Sequence, residues 1–435
     1  MTRGRVSPGG RPDTPRRVIR APRSGRPHPP PRSGRPGGEA RTGGRTRPGT
    51  ARPSRIGRAR PTLTLLQIYP KGDFHTGAAI QLRDLARGLV ARGHRVLVLT
   101  RASNRWAAEA ETAGFAHLGW FRAPGDPGGA LKLARLIRRQ GVDVVHAHKG
   151  GGRTLALLAR TVMPAGEHPP LVTNRGVSFP MTRLSRWIDG SRLVSRVVAV
   201  CEAIKADLIR QGLPGGKVEV VYSGTDTDRF DPARVDGAAV RRELGLAVEN
   251  RLVTQIGIRE PKGNDDVVRA FARVHALRPD ARLLLVGARP SSRRPLDLLV
   301  AAAGLGRVVT IWGYRDDIPE ILAASDVSVD ASHVGLGITG TLRESLALET
   351  PVVATAAMGN PELVRDGETG LLVPPRDPAA IAAAVLRLLG DPPWAKELGR
   401  AGRRLVVARF STRTKVERLE ALYRTLAARR RASSI

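Results

Sequence analysis

The chain has 435 residues, of which 41% are hydrophobic, 26% charged and 4% aromatic, and its 72 Lys and Arg against 39 Asp and Glu leave a formal charge of +33. That length suits two domains of ordinary size plus a tail and excludes a miniature disulfide fold. One cysteine, Cys201, excludes an internal disulfide framework and a multi-thiolate metal site, and fits a reducing compartment.

Residues 1–60 hold 17 Arg, no Lys and only two acids, Asp13 and Glu39, a local balance of +15, together with 11 Pro and 11 Gly. Without hydrophobic periodicity such a segment cannot bury enough apolar surface to offset its ordering entropy, so it is expected to be a disordered extension. It reads either as an electrostatic tether to anionic lipid or nucleic acid, or as a solvated stretch upstream of the true start; the lack of aromatic residues for base stacking favours the second. No run approaches the roughly eighteen uncharged apolar residues of a spanning helix, and no apolar stretch follows the basic N-terminus as in an export signal. The expected location is cytoplasmic, with peripheral contact at the cytoplasmic face of the membrane.

From residue 61 apolar runs of strand length alternate with amphipathic segments of helix length. Strands are predicted at 63–68, 95–100, 142–146, 171–173 and 197–200, and helices at 77–92, 131–140 and 153–161. A polar bridge over 226–237 leads to a second series with strands at 251–256, 281–286, 308–311, 327–329 and 351–354. A final Arg-rich helix is predicted over 412–429, either packing back across the cleft or lying on a surface. Strands separated by helices imply doubly wound parallel sheets, so the chain divides into an extension (1–60), a first Rossmann-like domain (61–230), a second (231–410) and a C-terminal helix (411–435). Two such sheets enclose a cleft, the usual ligand position.

The most informative stretch is Asp326–Leu348, where a strand runs through Gly335, Gly337 and Gly340 into a helix. The G-x-G-x-x-G spacing and a helix start at Gly340 or Thr341 offer free backbone N–H groups to phosphate. A dinucleotide site also wants an acid about 20 residues on; the sequence has Thr355-Ala-Ala-Met358 there, so that reading is the poorer one. Glu344, one turn into the helix, is placed to accept hydrogen bonds from sugar hydroxyls. The loop Gly257-Ile-Arg-Glu-Pro-Lys-Gly263 brings Arg259 and Lys262 to a strand's carboxyl end, where they would neutralise a diphosphate leaving group. Replacing Lys262 by Ala is then expected to cripple turnover and leave the fold intact. The loop from Gly313 through Tyr314 and Arg315 to Ile318 could contact a base. His146 and His148, at a strand end, either face the cleft or serve structure.

Taken together, these strings resemble a known family. Val-Glu-Val-Val-Tyr-Ser-Gly-Thr-Asp-Thr-Asp-Arg-Phe (218–230) is similar to the signature of family 4 nucleotide-sugar glycosyltransferases of GT-B fold, with Ser223 where those proteins usually have Asn. The runs from Thr76, Val197, Ile258, Glu344 and Gly359 follow in the family's order over about residues 62–425. The resemblance implies a retaining, metal-independent transferase without cofactor. It would take a nucleoside-diphosphate sugar in its second half and a cell-envelope glycan or lipid-linked acceptor, of lipopolysaccharide or polysaccharide type, in its first. It implies catalytic roles for Arg259, Lys262 and Glu344 and donor contacts at Gly257, Gly337, Gly340, Thr341, Leu342, Arg315 and Ile318. Gly77, His148 and Arg175 fall on the acceptor side. The first Glu of the family's pair, eight positions before the second, is replaced by Leu336, or by Val334 if the turn is two residues longer; Asp330 and His333 are the nearby substitutes. The alternatives are an inactive GT-B-like binding or scaffold protein and, more weakly, an NAD(P)-dependent dehydrogenase. No specific nucleic-acid partner is expected, since no recognition motif accompanies the charge.

Overall fold

The computed structural model describes residues 61–334 and 337–432; the Arg-rich extension of 1–60 lies outside the described residues. The first half runs β1 (Thr64–Ile68), α1 (Gly77–Ala91), β2 (Arg95–Leu99), α2 (Asn104–Ala113), β3 (Ala116–Leu118), α3 (Pro127–Gln140) and β4 (Val144–Ala147). It continues through α4 (Gly150–Arg160), β5 (Leu171–Arg175), α5 (Arg183–Gly190), β6 (Arg196–Ala199), α6 (Glu202–Arg210) and β7 (Val218–Val220). The second half opens with α7 (Ala238–Glu243), β8 (Arg251–Ile256), α8 (Asn264–Leu277), β9 (Ala281–Val286), α9 (Pro290–Ala302) and β10 (Val309–Trp312). Then come α10 (Ile318–Ala324), β11 (Val327–Asp330), α11 (Gly340–Ala347), β12 (Val352–Thr355), β13 (Leu371–Val373), α12 (Pro378–Gly390), α13 (Pro392–Arg409) and α14 (Thr412–Ala432).

Both sheets are wholly parallel, in the orders β3-β2-β1-β4-β5-β6-β7 and β10-β9-β8-β11-β12-β13. The strands are near-continuous apolar runs because helices cover both faces, as a parallel sheet requires. Strand order reverses between β1 and β4 and again between β8 and β11, so the carboxyl ends of those four strands mark the two crevices. The alternation read from the sequence thus becomes two Rossmann-like sheets.

One hydrophobic core runs from the first half into the second, joining Leu66, Ala147 and Cys201 to Leu342, Val352 and Phe410. The chain crosses between the halves twice, and the crossings lie side by side: the Thr225 N–H donates to Phe410 O (2.8 Å) and the Thr412 N–H to Thr225 O (2.9 Å). A Cβ on Gly224 would stand 2.6 Å from Thr412 Cα, so only glycine permits that approach. Helix α14 then returns to the first half, where Tyr423 meets His146 (2.6 Å) and the Lys415 ammonium donates to Gln81 O (2.7 Å).

Some elements depart from the sequence reading. Helix α3 begins at Pro127, four residues before the expected Leu131, because proline is preset for a first helical position and outweighs the two glycines behind it. Helices α2, α5 and α6 stand where the sequence reading gives no helix. In α5 the pattern is inverted: Asp189 is fully buried while Leu184 and Trp187 are exposed.

Candidate functional site

The loop after β8 is held by its own side chains. Gly257 (φ +95°) turns the chain off the strand, and Asn264 fixes the return by accepting from the Arg259 N–H (3.0 Å) and donating to Gln255 Oε1 (2.8 Å) and Gly257 O (3.1 Å). Gly263 (φ +62°) passes so close to the end of β11 that a Cβ there would lie 2.3 Å from Ala331 O. This close passage brings the Lys262 ammonium within 2.5 Å of Asp330 Oδ2, in an ion pair that is almost wholly buried. Asp330 also accepts from Ser332 N–H (3.1 Å) and the Thr339 hydroxyl (2.8 Å). Burial pushes this carboxyl up, but the Lys262 charge and these hydrogen bonds outweigh it and hold it below the ordinary carboxylate range. Arg259 is exposed on the same loop.

Lys262 is therefore the cation of a buried pair rather than a side chain extended into the cleft. The pair changes what is expected of Lys262→Ala: removing the ammonium strands the buried Asp330 carboxylate, so a loss of stability is expected in place of an unperturbed fold. Asp330, read as a substitute for the missing acid, instead forms the floor beneath Lys262. His333 Nε2 lies 3.1 Å from Glu260 O at the loop's outer edge.

The strand-to-helix turn after β11 ends at Thr339, whose hydroxyl goes to Asp330 and makes no cap hydrogen bond to α11. The first N–H groups of α11, at Gly340, Thr341 and Leu342, are thus left without a side-chain cap at the positive end of the helix. Leu342 contributes only backbone here, since its side chain is fully buried in the core. Glu344 is half-buried and its carboxylate folds back over the start of the helix, 3.4 Å from where a Cβ on Gly340 would be. Burial raises its carboxyl above the ordinary value, against the opposing pull of Arg343, Arg229 and Lys262. Arg343 does not pair with it: one guanidinium nitrogen donates to Ile338 O (2.7 Å), and burial lowers the group to about 10. A desolvated carboxylate beside uncapped N–H groups can accept from hydroxyls while the helix start binds an anion.

Other expected residues are placed differently. Gly337 packs against the first half, where a Cβ would meet Val200 Cγ2 at 2.9 Å, so its lack of a side chain permits domain contact. Gly335 lies outside the described residues. Arg315 is engaged bidentately by Glu243 (2.8 and 2.9 Å) and by Asp317 (2.6 Å), and stacks on Trp312. Hydrogen bonds from Asp317 and Glu243 raise its guanidinium further, leaving few donors for a base. Ile318, at the start of α10, is packed against the core. On the opposite wall Gly77 opens α1 with free space around it. His148 Nε2 meets Gln67 Oε1 (2.8 Å) and its ring stacks on His146. Burial, with His146 and Lys415, holds His148 well below its ordinary value, so it is neutral at pH 7. Arg175 donates to Asp189 (2.7 Å) instead of extending toward the cleft.

Sequence reasoning missed the residues that join the halves. Glu362 accepts from the Glu202 and Ala203 N–H groups (both 2.9 Å), capping α6 from across the domain boundary, and from the Tyr222 hydroxyl (2.9 Å). Tyr314 reaches His75 Nδ1 (2.9 Å) at the mouth of the cleft. Tyr314 is expected from the sequence only in a base-contacting loop, and nothing local marks its pairing with His75 or the role of Glu362; the partners are separated by more than a hundred positions in the sequence. A cavity of about 790 Å³ lies elsewhere, at the opposite end of α11, lined by Arg400, Arg404, Arg413 and Glu349.

With this geometry in view, similarity to known proteins is specific. The chain matches the family described as Glycosyltransferase Family 4 over residues 75–229 and the one described as Glycosyl transferases group 1 over residues 250–391. A GDP-mannose-dependent monoacylated alpha-(1-6)-phosphatidylinositol monomannoside mannosyltransferase from Corynebacterium glutamicum is 31% identical over 314 residues, 67% of this chain and 79% of that protein. A glycosyltransferase from Rickettsia africae ESF-5 has a similar structure (TM-score 0.77, 21% identity), covering 84% of this chain and 99% of its own. Anabaena Alr3699/HepE in complex with UDP-glucose gives a TM-score of 0.72 at 21% identity, over 83% and 100% of the two chains. Two parallel sheets, two consecutive family matches and a relative covered over most of its length make the chain a member of the group 1 and family 4 glycosyltransferases, a GT-B glycosyltransferase.

Proposed function

We propose that this glycosyltransferase uses a nucleoside-diphosphate sugar as donor and retains the anomeric configuration. The observation that carries the reading is the Glu344 carboxylate, desolvated beside the uncapped start of α11. In this reading the N–H groups of 340–342 and the exposed Arg259 bind the diphosphate, Lys262 adds its charge from beneath, and Glu344 accepts from the ribose hydroxyls. The bond from sugar C1 to the phosphate oxygen breaks as the acceptor oxygen bonds C1 on the same face, and the acceptor's proton passes to the departing diphosphate. Positive charge at the phosphate favours that departure without a protein nucleophile. Neutral His148 lines the acceptor side.

The acceptor is proposed to be an envelope glycan or a lipid-linked saccharide. The relative named for a phosphatidylinositol monomannoside supports an acceptor of that kind, and the UDP-glucose complex of a structural neighbour supports a nucleotide-sugar donor. Those names differ in base and sugar, so the donor is proposed as a class. Among the described residues no helix is long and apolar enough to cross a membrane, so a lipid-linked acceptor would be met at the bilayer surface.

Incubation with a panel of nucleotide sugars tests the proposal. The expected result is release of nucleoside diphosphate from one donor and a product whose anomeric proton coupling matches the donor's. Inversion, or no diphosphate release from any donor, would count against it.

A further inference from the structure

Three Lys or Arg side chains are buried among the described residues: Arg153, Lys262 and Arg343. Arg153 holds the Asp189 carboxylate at 2.7 Å and Lys262 holds that of Asp330 at 2.5 Å. Arg343 has no such partner. Only 5% of its surface is exposed, one terminal nitrogen donates to Ile338 O (2.7 Å), and Nε has no acceptor among the described residues. Burial lowers the guanidinium to about 10, so it still carries its charge at neutral pH. A buried charge without a counter-charge costs stability, and so does each buried N–H without an acceptor. An anion from outside the chain would supply both.

The place for that anion follows from the helix. Side chains of an α-helix lean back toward its start, and Arg343 does so, ending over the turn at Ile338. Residues three and four apart share a face, so Gly340 lies beside both Arg343 and Glu344. The point that a Cβ on Gly340 would occupy is 3.4 Å from Glu344 Oε1 and 3.9 Å from Arg343 Nη2. The missing side chain thus leaves a space bounded by a carboxylate and a guanidinium, at a helix start without a side-chain cap. A ligand filling it would offer hydroxyls to the first and an anion to the second. In a nucleotide, those groups stand together as the ribose and the phosphate attached to it. Arg259 and Lys262 come from a separate loop, after β8, and meet the diphosphate from another side.

We propose that Arg343 is a donor-binding residue, its guanidinium taking the phosphate next to the ribose while Glu344 takes the ribose hydroxyls. This rests on the donor reading above and deepens it. The diphosphate is divided between two cationic groups: the ribose-side phosphate on Arg343 and the start of α11, and the outer, sugar-bearing phosphate on Arg259 and Lys262.

Calorimetry on the full chain with UDP, UMP, GDP and GMP tests the division, and the mono- and diphosphate of whichever base wild type binds are carried on to the variants. Arg343→Met, similar in length but uncharged, is expected to weaken monophosphate and diphosphate alike, each at least about tenfold. Arg259→Gln should weaken the diphosphate and leave the monophosphate near wild type. Arg343→Lys keeps the charge without the planar fork and should weaken both nucleotides by less than Arg343→Met does. Ligand-free Arg343→Met should melt at or above the wild-type temperature, since the unpaired charge is gone, which separates lost affinity from lost folding. Wild type that binds none of the four nucleotides would remove the donor reading itself. With wild-type binding intact, Arg343 variants that keep their affinity for both nucleotides, or lose it for the diphosphate alone, would overturn the proposal. A lower melting temperature with undiminished affinity would do the same, marking Arg343 as a packing residue.

Discussion

Replacing Glu344 by Gln separates a functional carboxylate from a structural one because the two readings predict opposite signs. The side chain is half-buried and burial raises its carboxyl, so the ionised form costs stability at neutral pH. An acid whose folded-state pKa is raised above the usual 4.5 carries no penalty when both states are protonated, and an increasing one as the pH climbs through that value to the raised one. Glu344→Gln should therefore melt at or above the wild-type temperature at pH 7, and the difference should close in acid. Donor binding should fall instead. A charge-assisted hydrogen bond contributes about 1.5–3 kcal/mol and a neutral one about 1, so exchanging carboxylate for amide is worth roughly 1.4 kcal/mol, or about tenfold in Kd. Titration calorimetry with the cognate nucleoside diphosphate measures the affinity, and a thermal melt of the same sample measures stability. A variant that loses stability and keeps its affinity would refute the reasoning, since Glu344 would then be an ordinary packing residue.

Lys262→Ala should lower the unfolding free energy by about 3 kcal/mol in urea, because it strands the buried Asp330 carboxylate, whereas Lys262→Met combined with Asp330→Asn should recover most of that loss without recovering donor affinity. Gly263→Ala should cost at least about 2 kcal/mol by chemical denaturation, given its φ of +62° and the carbonyl 2.3 Å from the added methyl; Gly93→Ala, at φ +82° with open space around it, should cost only about 1 kcal/mol. Burial, helped by Arg343 and opposed by Asp84, lowers Lys415 to about 7 from the usual 10.5. Over that range the unfolded chain binds a proton that the folded one does not, so this group's contribution to stability rises with pH. Denaturation of Lys415→Met at pH 7 and pH 10 should show a smaller rise than wild type, and an equal rise would contradict the assignment.

Much of the architecture is legible because parallel strands buried on both faces write themselves as apolar runs, as at Ala281–Val286, and their spacing by helices admits few topologies. The loop of Arg259 and Lys262 and the helix start at Gly340 could be found for the same local reason, since each follows directly from a strand end. What Lys262 does there could not, because its partner Asp330 is 68 positions away and becomes a neighbour only when β8 and β11 pair. Arg175 and Arg315 look free in one dimension and are each taken up by carboxylates, Asp189 and Glu243, that the fold delivers. Helix α5 escaped notice because hydrophobic periodicity assumes the apolar face turns inward, and a buried Asp held by Arg153 reverses that assumption.

The central claim is that the start of α11 and Glu344 form the donor site, and a crystal structure with the nucleoside diphosphate bound tests it most directly. The account predicts phosphate oxygens about 3 Å from the N–H groups of 340–342 and ribose hydroxyls on the Glu344 carboxylate. A diphosphate seated instead among Arg400, Arg404 and Arg413 in the cavity at the far end of α11 would contradict it.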